Sequence, residues 1–179
     1  MKRIISTTMA LFVAMAMAIG FTGTAQAAPV TYTSTTQSPL LQVAGLLNVF
    51  TVTGIDGVTY DPATGTITSP VVGNPVPSQR VIQQGGIVLE KPDGNQLEIK
   101  NIMYDVKAEV VTGVVTWTSP EGVVTEYGRV ELYTAEKTSD TTTELYTAEE
   151  GGAIMREFVN LFGLPVTGAH FGTSTLLHS

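Results

Sequence analysis

The chain contains no cysteine, which removes disulfides, thiolate nucleophiles, iron–sulfur ligation and cysteine-ligated zinc together. Histidine is nearly as scarce, with only His170 and His178 near the C-terminal end. Basic residues number 9 against 16 acidic ones, for a formal charge of −7. No basic run follows the first residues, so there is no electrostatic footprint for nucleic acid, and anionic lipid would repel the domain. No apolar run reaches the roughly 20 residues needed to span a bilayer. Without cross-links, stability must come from packing and backbone hydrogen bonds.

An export signal opens what is present. Met1-Lys2-Arg3 is basic, residues 9–19 are apolar, and Ala25-Gln26-Ala27 supplies the small-residue cleavage pattern. No cysteine follows the apolar run to take a lipid. Cleavage after Ala27 is expected, leaving residues 28–179 as one domain in the periplasm or the medium. Losing Lys2 and Arg3 leaves seven basic residues against the same sixteen acidic ones, so the charge moves from −7 to −9.

The mature chain reads as mainly β. Residues 28–38 are Thr-rich and alternate, as a first strand or an extended arm. Ser38-Pro39 has the form of an N-cap with proline at the first helical position. Leu40–Leu47 then fits a short buried helix, with a buried strand as the alternative because of Gly45. Val49–Ile55 returns to strand character, and Asp61–Gly65 is turn chemistry. Pro70, Pro75 and Pro77 make residues 69–78 an edge segment or loop. From Gly85 to Tyr133 successive hairpins are expected, turning at Lys91–Asn95 and Ser119–Gly122. Thr147 with Glu150 forms a capping-box pattern, followed by an apolar stripe at Ile154, Met155, Phe158, Leu161 and Phe162 that stops at Gly163-Pro165. Val166–Leu177 reads as a last strand. The expected fold is an antiparallel two-sheet sandwich with one or two short helices, the second lidding the β-core. Glu131–Glu136 recurs as Glu144–Glu149, which reads as coincident strand patterning.

No constellation of chemistry stands out. His170 and His178 have no serine elbow or second ligand at helical spacing and read as surface or strand-end residues. Glu149 and Glu150 suit a helix N-terminus, and the other acids are too scattered for a two-carboxylate hydrolase. Asp56-Gly57 and Asp61 lack a calcium-loop order and read as turns. Leu164–Gly168 spells the L-P-x-T-G sorting pattern without the apolar stretch and basic tail that make it work. Tyr32, Tyr60, Tyr104, Tyr127, Tyr133 and Tyr146 suit strands with a wet edge, though a phenol can also ligate haem iron or stack on a sugar. The residues thus assign no catalytic and no metal site.

One order of landmarks carries a resemblance. A short helix precedes Thr51–Gly54, then Tyr60–Thr68, Gly85–Leu89, Leu97–Asp105, Val111–Val115, Gly128–Leu132, Leu145–Glu149 with its helix, and Phe171–Ser174. Over residues 38–177 this resembles exported bacterial domains related to the HtaA-type haem-associated surface domain. The resemblance implies the two-sheet sandwich and raises haem as a ligand. Haem-binding members open on a Trp- and Tyr-bearing segment that supplies the axial tyrosine. Here Thr31-Tyr32-Thr33 stands near the mature start, and Trp117 is the only tryptophan, so no haem ligand carries over to any residue. The expected function is a non-enzymatic structural, surface or interaction role with an unknown protein partner. The alternative is a binding module for haem or another small hydrophobic ligand.

Overall fold

Thr- and Val-rich segments broken by turn residues leave most of this chain in strands. The computed structural model describes residues 31–75, 79–160 and 166–178. The expected signal peptide lies outside the described residues, as do Leu161–Pro165. The element order is β1 (Tyr32–Gln37), α1 (Pro39–Leu46), β2 (Thr51–Ile55), β3 (Thr59–Asp61), β4 (Thr66–Val72) and β5 (Arg80–Gln83). Then follow β6 (Gly86–Glu90), β7 (Gln96–Asp105), β8 (Val110–Thr118), β9 (Val124–Lys137), β10 (Thr142–Thr147), α2 (Glu149–Val159) and β11 (His170–His178).

The two-sheet sandwich expected from the sequence is corrected to a barrel. Eight strands close in the order β7-β5-β4-β1-β11-β10-β9-β8, and β8 returns to β7. Closure depends on β7, whose two halves serve different neighbours. Gln96–Lys100 pairs with β6, and Met103–Asp105 pairs with β5. Between them the β7–β8 register shifts, and Asn101 adopts a positive φ of 52° while its N–H bonds to the Gly85 carbonyl. Two further register shifts lie in the β8–β9 ladder. Bulges of this kind bend and twist a sheet enough to bring its edges together. β6 and β2 continue from the first half of β7 as a side arm, and β3 adds to β4.

The proline-rich segment is likewise corrected, because β4 runs through Pro70 inside the closed barrel. The Pro70 carbonyl accepts from the Gln84 N–H. The missing proline N–H therefore faces that same side, where β4 changes partner from β3 to β5. No ladder bond is lost there.

α1 starts as its sequence predicts. Ser38 is fully buried, its hydroxyl accepts from the Leu41 N–H at 3.3 Å and donates to the Phe171 carbonyl at 2.7 Å. Ser38→Ala should therefore cost about 1–2 kcal/mol, because it removes a cap and takes a donor from the part-buried Phe171 carbonyl. Urea unfolding checks this. The helix is not buried as expected: only Leu41 is, while Leu46 and Leu47 are 77% and 71% exposed.

α2 packs on β9, with Gly151 close against Leu132, and buries Ile154 and Phe158 in the core. The expected capping box is absent. Ala148 is the N-cap, Thr147 ends β10 and donates to Ala169, and Glu150 accepts from the Glu131 N–H of β9 at 2.9 Å. Asn160, in the left-handed conformation, caps the C-terminus in place of Gly163. The repeated hexapeptide falls on neighbouring strands, with Leu145 opposite Ala135 in the β9–β10 ladder.

Candidate functional site

The barrel interior holds a cavity of about 520 Å³. Its walls follow from strand alternation, which sends every second side chain inward. β1, β4, β5 and β11 contribute a polar wall of Ser34, Thr36, Ser69, Gln83 and Ser174. Its hydroxyls largely satisfy one another: Gln83 Nε2 donates to Ser34 Oγ at 3.0 Å, Thr36 Oγ1 to Ser174 Oγ at 3.2 Å, and the Ser34 and Ser174 hydroxyls lie 3.4 Å apart. β7 to β11 contribute an apolar wall that includes Ile102, Tyr104, Val111, Tyr133, Leu145 and Phe171. Tyr133 and Phe171 stack with centroids 4.3 Å apart.

Tyr133 reaches the cavity because the β8–β9 register shifts between Val111 and Thr112, so that Leu132 and Tyr133 both turn into the interior. Burial pushes its phenol well above the usual tyrosine range. Tyr104, opposite Val111 and Val81 in the ladders, carries a buried hydroxyl with no hydrogen-bond partner among the described residues. An unpaired buried hydroxyl costs roughly 1–3 kcal/mol, so a group that would pair with it is the natural complement. The cavity reaches the connections between strands at Gln79, Lys107 and Ser139–Thr141. Among the described residues Lys107, Lys137 and Asp140 are its only charged lining residues, and Lys137 and Asp140 pair at 3.0 Å.

Neither a family model nor a curated protein sequence matches this chain. Two crystal structures share its architecture. The C-terminal domain of HtaA from Corynebacterium glutamicum superposes with a TM-score of 0.53 at 14% identity, covering 82% of this chain and 95% of that one. The haem-binding protein HtaB from the same organism superposes with a TM-score of 0.56 at 17% identity, covering 84% and 95%. The chain has the HtaA-type fold.

Within this HtaA-type barrel the six tyrosines separate by position. Tyr104 and Tyr133 line the cavity. Tyr32 meets the ring of His178 edge-on at 6.3 Å, away from the cavity lining. Tyr60 donates to the Leu41 carbonyl, and its phenol is raised by burial and by the Asp61 charge. Tyr127 packs against the main core, where burial and then the Glu157 charge raise it. Tyr146 meets His170 edge-on at 5.5 Å. Sequence alone could not sort these, because the sorting depends on register.

The histidines stand at the two ends of β11, as expected. His170 Nε2 lies 2.6 Å from Glu144 Oε2, and Thr173 Oγ1 donates to the same carboxylate at 2.9 Å. The His170 hydrogen bond, and after it the Thr173 one, holds the Glu144 carboxyl below its usual range against the opposing effect of burial. No serine joins this pair. Asp56 and Gly57, both at positive φ, form the tight β2–β3 turn, and Asp61 accepts from Ala63 N–H and the Thr64 hydroxyl. Glu149 and Glu150 stand in the first turn of α2. Of the sorting pattern only Val166–Gly168 is described; there the Gly168 N–H bonds to the Thr147 carbonyl.

Proposed function

We propose that this protein is an exported, non-enzymatic binding module whose barrel cavity holds a small, largely apolar ligand, with haem as the leading candidate. The observation that carries this is the cavity of about 520 Å³ into whose wall Tyr104 brings a buried phenol with no partner among the described residues. Eight-stranded barrels hold one small ligand, and ligand cavities run from about 300 to 1,000 Å³. Likeness to a haem-binding protein of the same fold supports haem as the ligand. The basic, apolar and small-residue order of residues 1–27 supports export.

The residues present fit a tetrapyrrole. Tyr104 would hold the iron, since tyrosine is a haem ligand, and the stacked Tyr133–Phe171 pair would flank the macrocycle. Bound haem would supply a redox-active iron. The polar wall, already self-paired, would orient the ligand without demanding charge from it. Among the described residues Asp140 is the only carboxylate lining the cavity, which gives a two-carboxylate hydrolysis no second group there. The exposed leucines of α1 favour a surface contact as a second reading.

Haemin titration of the mature protein should give a saturable Soret band, and Tyr104→Phe should weaken binding at least tenfold, about 1.4 kcal/mol. A flat titration of the wild type overturns the haem reading. An undiminished band in Tyr104→Phe overturns the role of that residue.

A further inference from the structure

The charged groups of the rim point to the kind of polar end the ligand carries. Five of the seven described lysines and arginines are engaged. Arg80 pairs with Asp105 at 3.1 Å, Lys91 with Asp93 at 3.0 Å, Lys100 with Glu98 at 2.6 Å and Lys137 with Asp140 at 3.0 Å. Arg129 donates to the Asn101 carbonyl and the Thr112 hydroxyl, whereas Arg156, whose buried Nε has no hydrogen-bond partner among the described residues, lies away from the cavity lining. Lys107 makes no ion pair among the described residues, and it lines the cavity.

Its place is fixed by the β7–β8 turn. Asp105 Oδ1 accepts the backbone N–H groups of both Lys107 and Ala108, at 3.1 and 3.0 Å, so the turn presents the side chain from a pinned backbone. The nearby carboxylates are mostly spent: Asp105 is neutralised by Arg80 and Asp140 by Lys137, which leaves Glu109 in the same turn. On a chain of charge −7, a lone unpaired ammonium at a cavity rim is where an anionic group would be tolerated. Further in, the cavity has no charged residue among those described.

We infer that the ligand is an amphipath with a carboxylate, which stays at the rim on Lys107 while its apolar body lies along the Tyr133–Phe171 wall. This rests on the cavity being the binding site, but it does not require iron. The test is a fluorescence titration of the mature protein with dansyl-aminoundecanoic acid and with its methyl ester. The acid should bind about fivefold tighter than the ester, the scale of an exposed charge pair, and added salt should shrink that preference. Lys107→Gln should abolish the preference with ester binding unchanged, and Lys107→Arg should retain it. Lys107 is exposed, so both variants should keep the wild-type circular dichroism. Equal binding of acid and ester by the wild type overturns the carboxylate inference and leaves the cavity reading standing. Binding of neither probe overturns both the inference and the apolar-ligand reading on which it rests.

Discussion

Phe158→Ala should remove about 4 kcal/mol of unfolding free energy, a large part of the roughly 5–15 kcal/mol that holds a domain of this size. Phe158 is fully buried. Its ring meets Trp117 edge-on at 5.5 Å and Phe50 at 6.3 Å, and the Lys91 ammonium lies 5.8 Å from its centroid. Truncation forfeits the transfer free energy of the ring, both aromatic contacts and the packing of whatever cannot collapse into the space. Collapse is hard here, because β-strands frame the site and cannot shift singly without breaking ladders. Phe158 and Ile154 are also the only buried large apolar side chains of α2, so the helix loses much of its apolar anchorage to the core. Urea denaturation followed by the emission of Trp117, the only tryptophan, reads this at the site itself. A loss below about 1.5 kcal/mol would show that α2 is held by other contacts.

The parts of the fold that were legible in the sequence are those whose physics is local. The Ser38 cap needs only Pro39 and a backbone N–H three residues on. The Lys91–Asn95 turn closes on itself, with Gly94 at positive φ and Asp93 accepting from the Asn95 N–H. The capping box failed for the opposite reason. Glu150 had a nearby donor in sequence, but the unpaired N–H of Glu131 in β9 competes for it and wins. Closure of the barrel was equally out of reach. Its seam pairs β1 with β11, so that Ser34 meets Ser174 across most of the chain. Hairpin patterning is the same whether the last strand completes a second sheet or closes the first.

The cavity was less legible still. β1 reads Tyr-Thr-Ser-Thr-Thr-Gln, polar on both faces, so alternation could not show that Ser34 and Thr36 turn inward. Tyr104 and Tyr146 are the same residue type on strands of similar composition, yet one faces the cavity and the other meets His170 outside it. The shift that brings Tyr133 inside is one residue of register in a ladder of nine pairs. No hydropathy period carries that information, because a one-residue slip exchanges the two faces of a strand.

The seam that closes the barrel should also be its most sensitive backbone position. Gly172 lies in β11 beside the register shift at Leu145 and Tyr146, where β1 gives way to α1. A Cβ placed there would be driven onto the carbonyl of Gln37, with the Ser38 Cα only 3.0 Å away. These obstacles are backbone atoms at the end of β1 and the cap of α1, and no rotamer change relieves them. Gly172→Ala should therefore cost about 3 kcal/mol, the upper end for a single added methyl in a tight site. The damage should spread, since separating β11 from the end of β1 also strains the bond from Ser38 to Phe171 and parts the polar wall at Ser34 and Ser174. Amide hydrogen exchange should show the loss concentrated in β1 and β11 while the β7–β8 ladder stays protected until global unfolding. Uniform loss of protection would mean that the barrel opens as one unit. Wild-type stability in Gly172→Ala would mean that the seam can widen without cost, and closure would then have to be sustained by the bulged β7 alone.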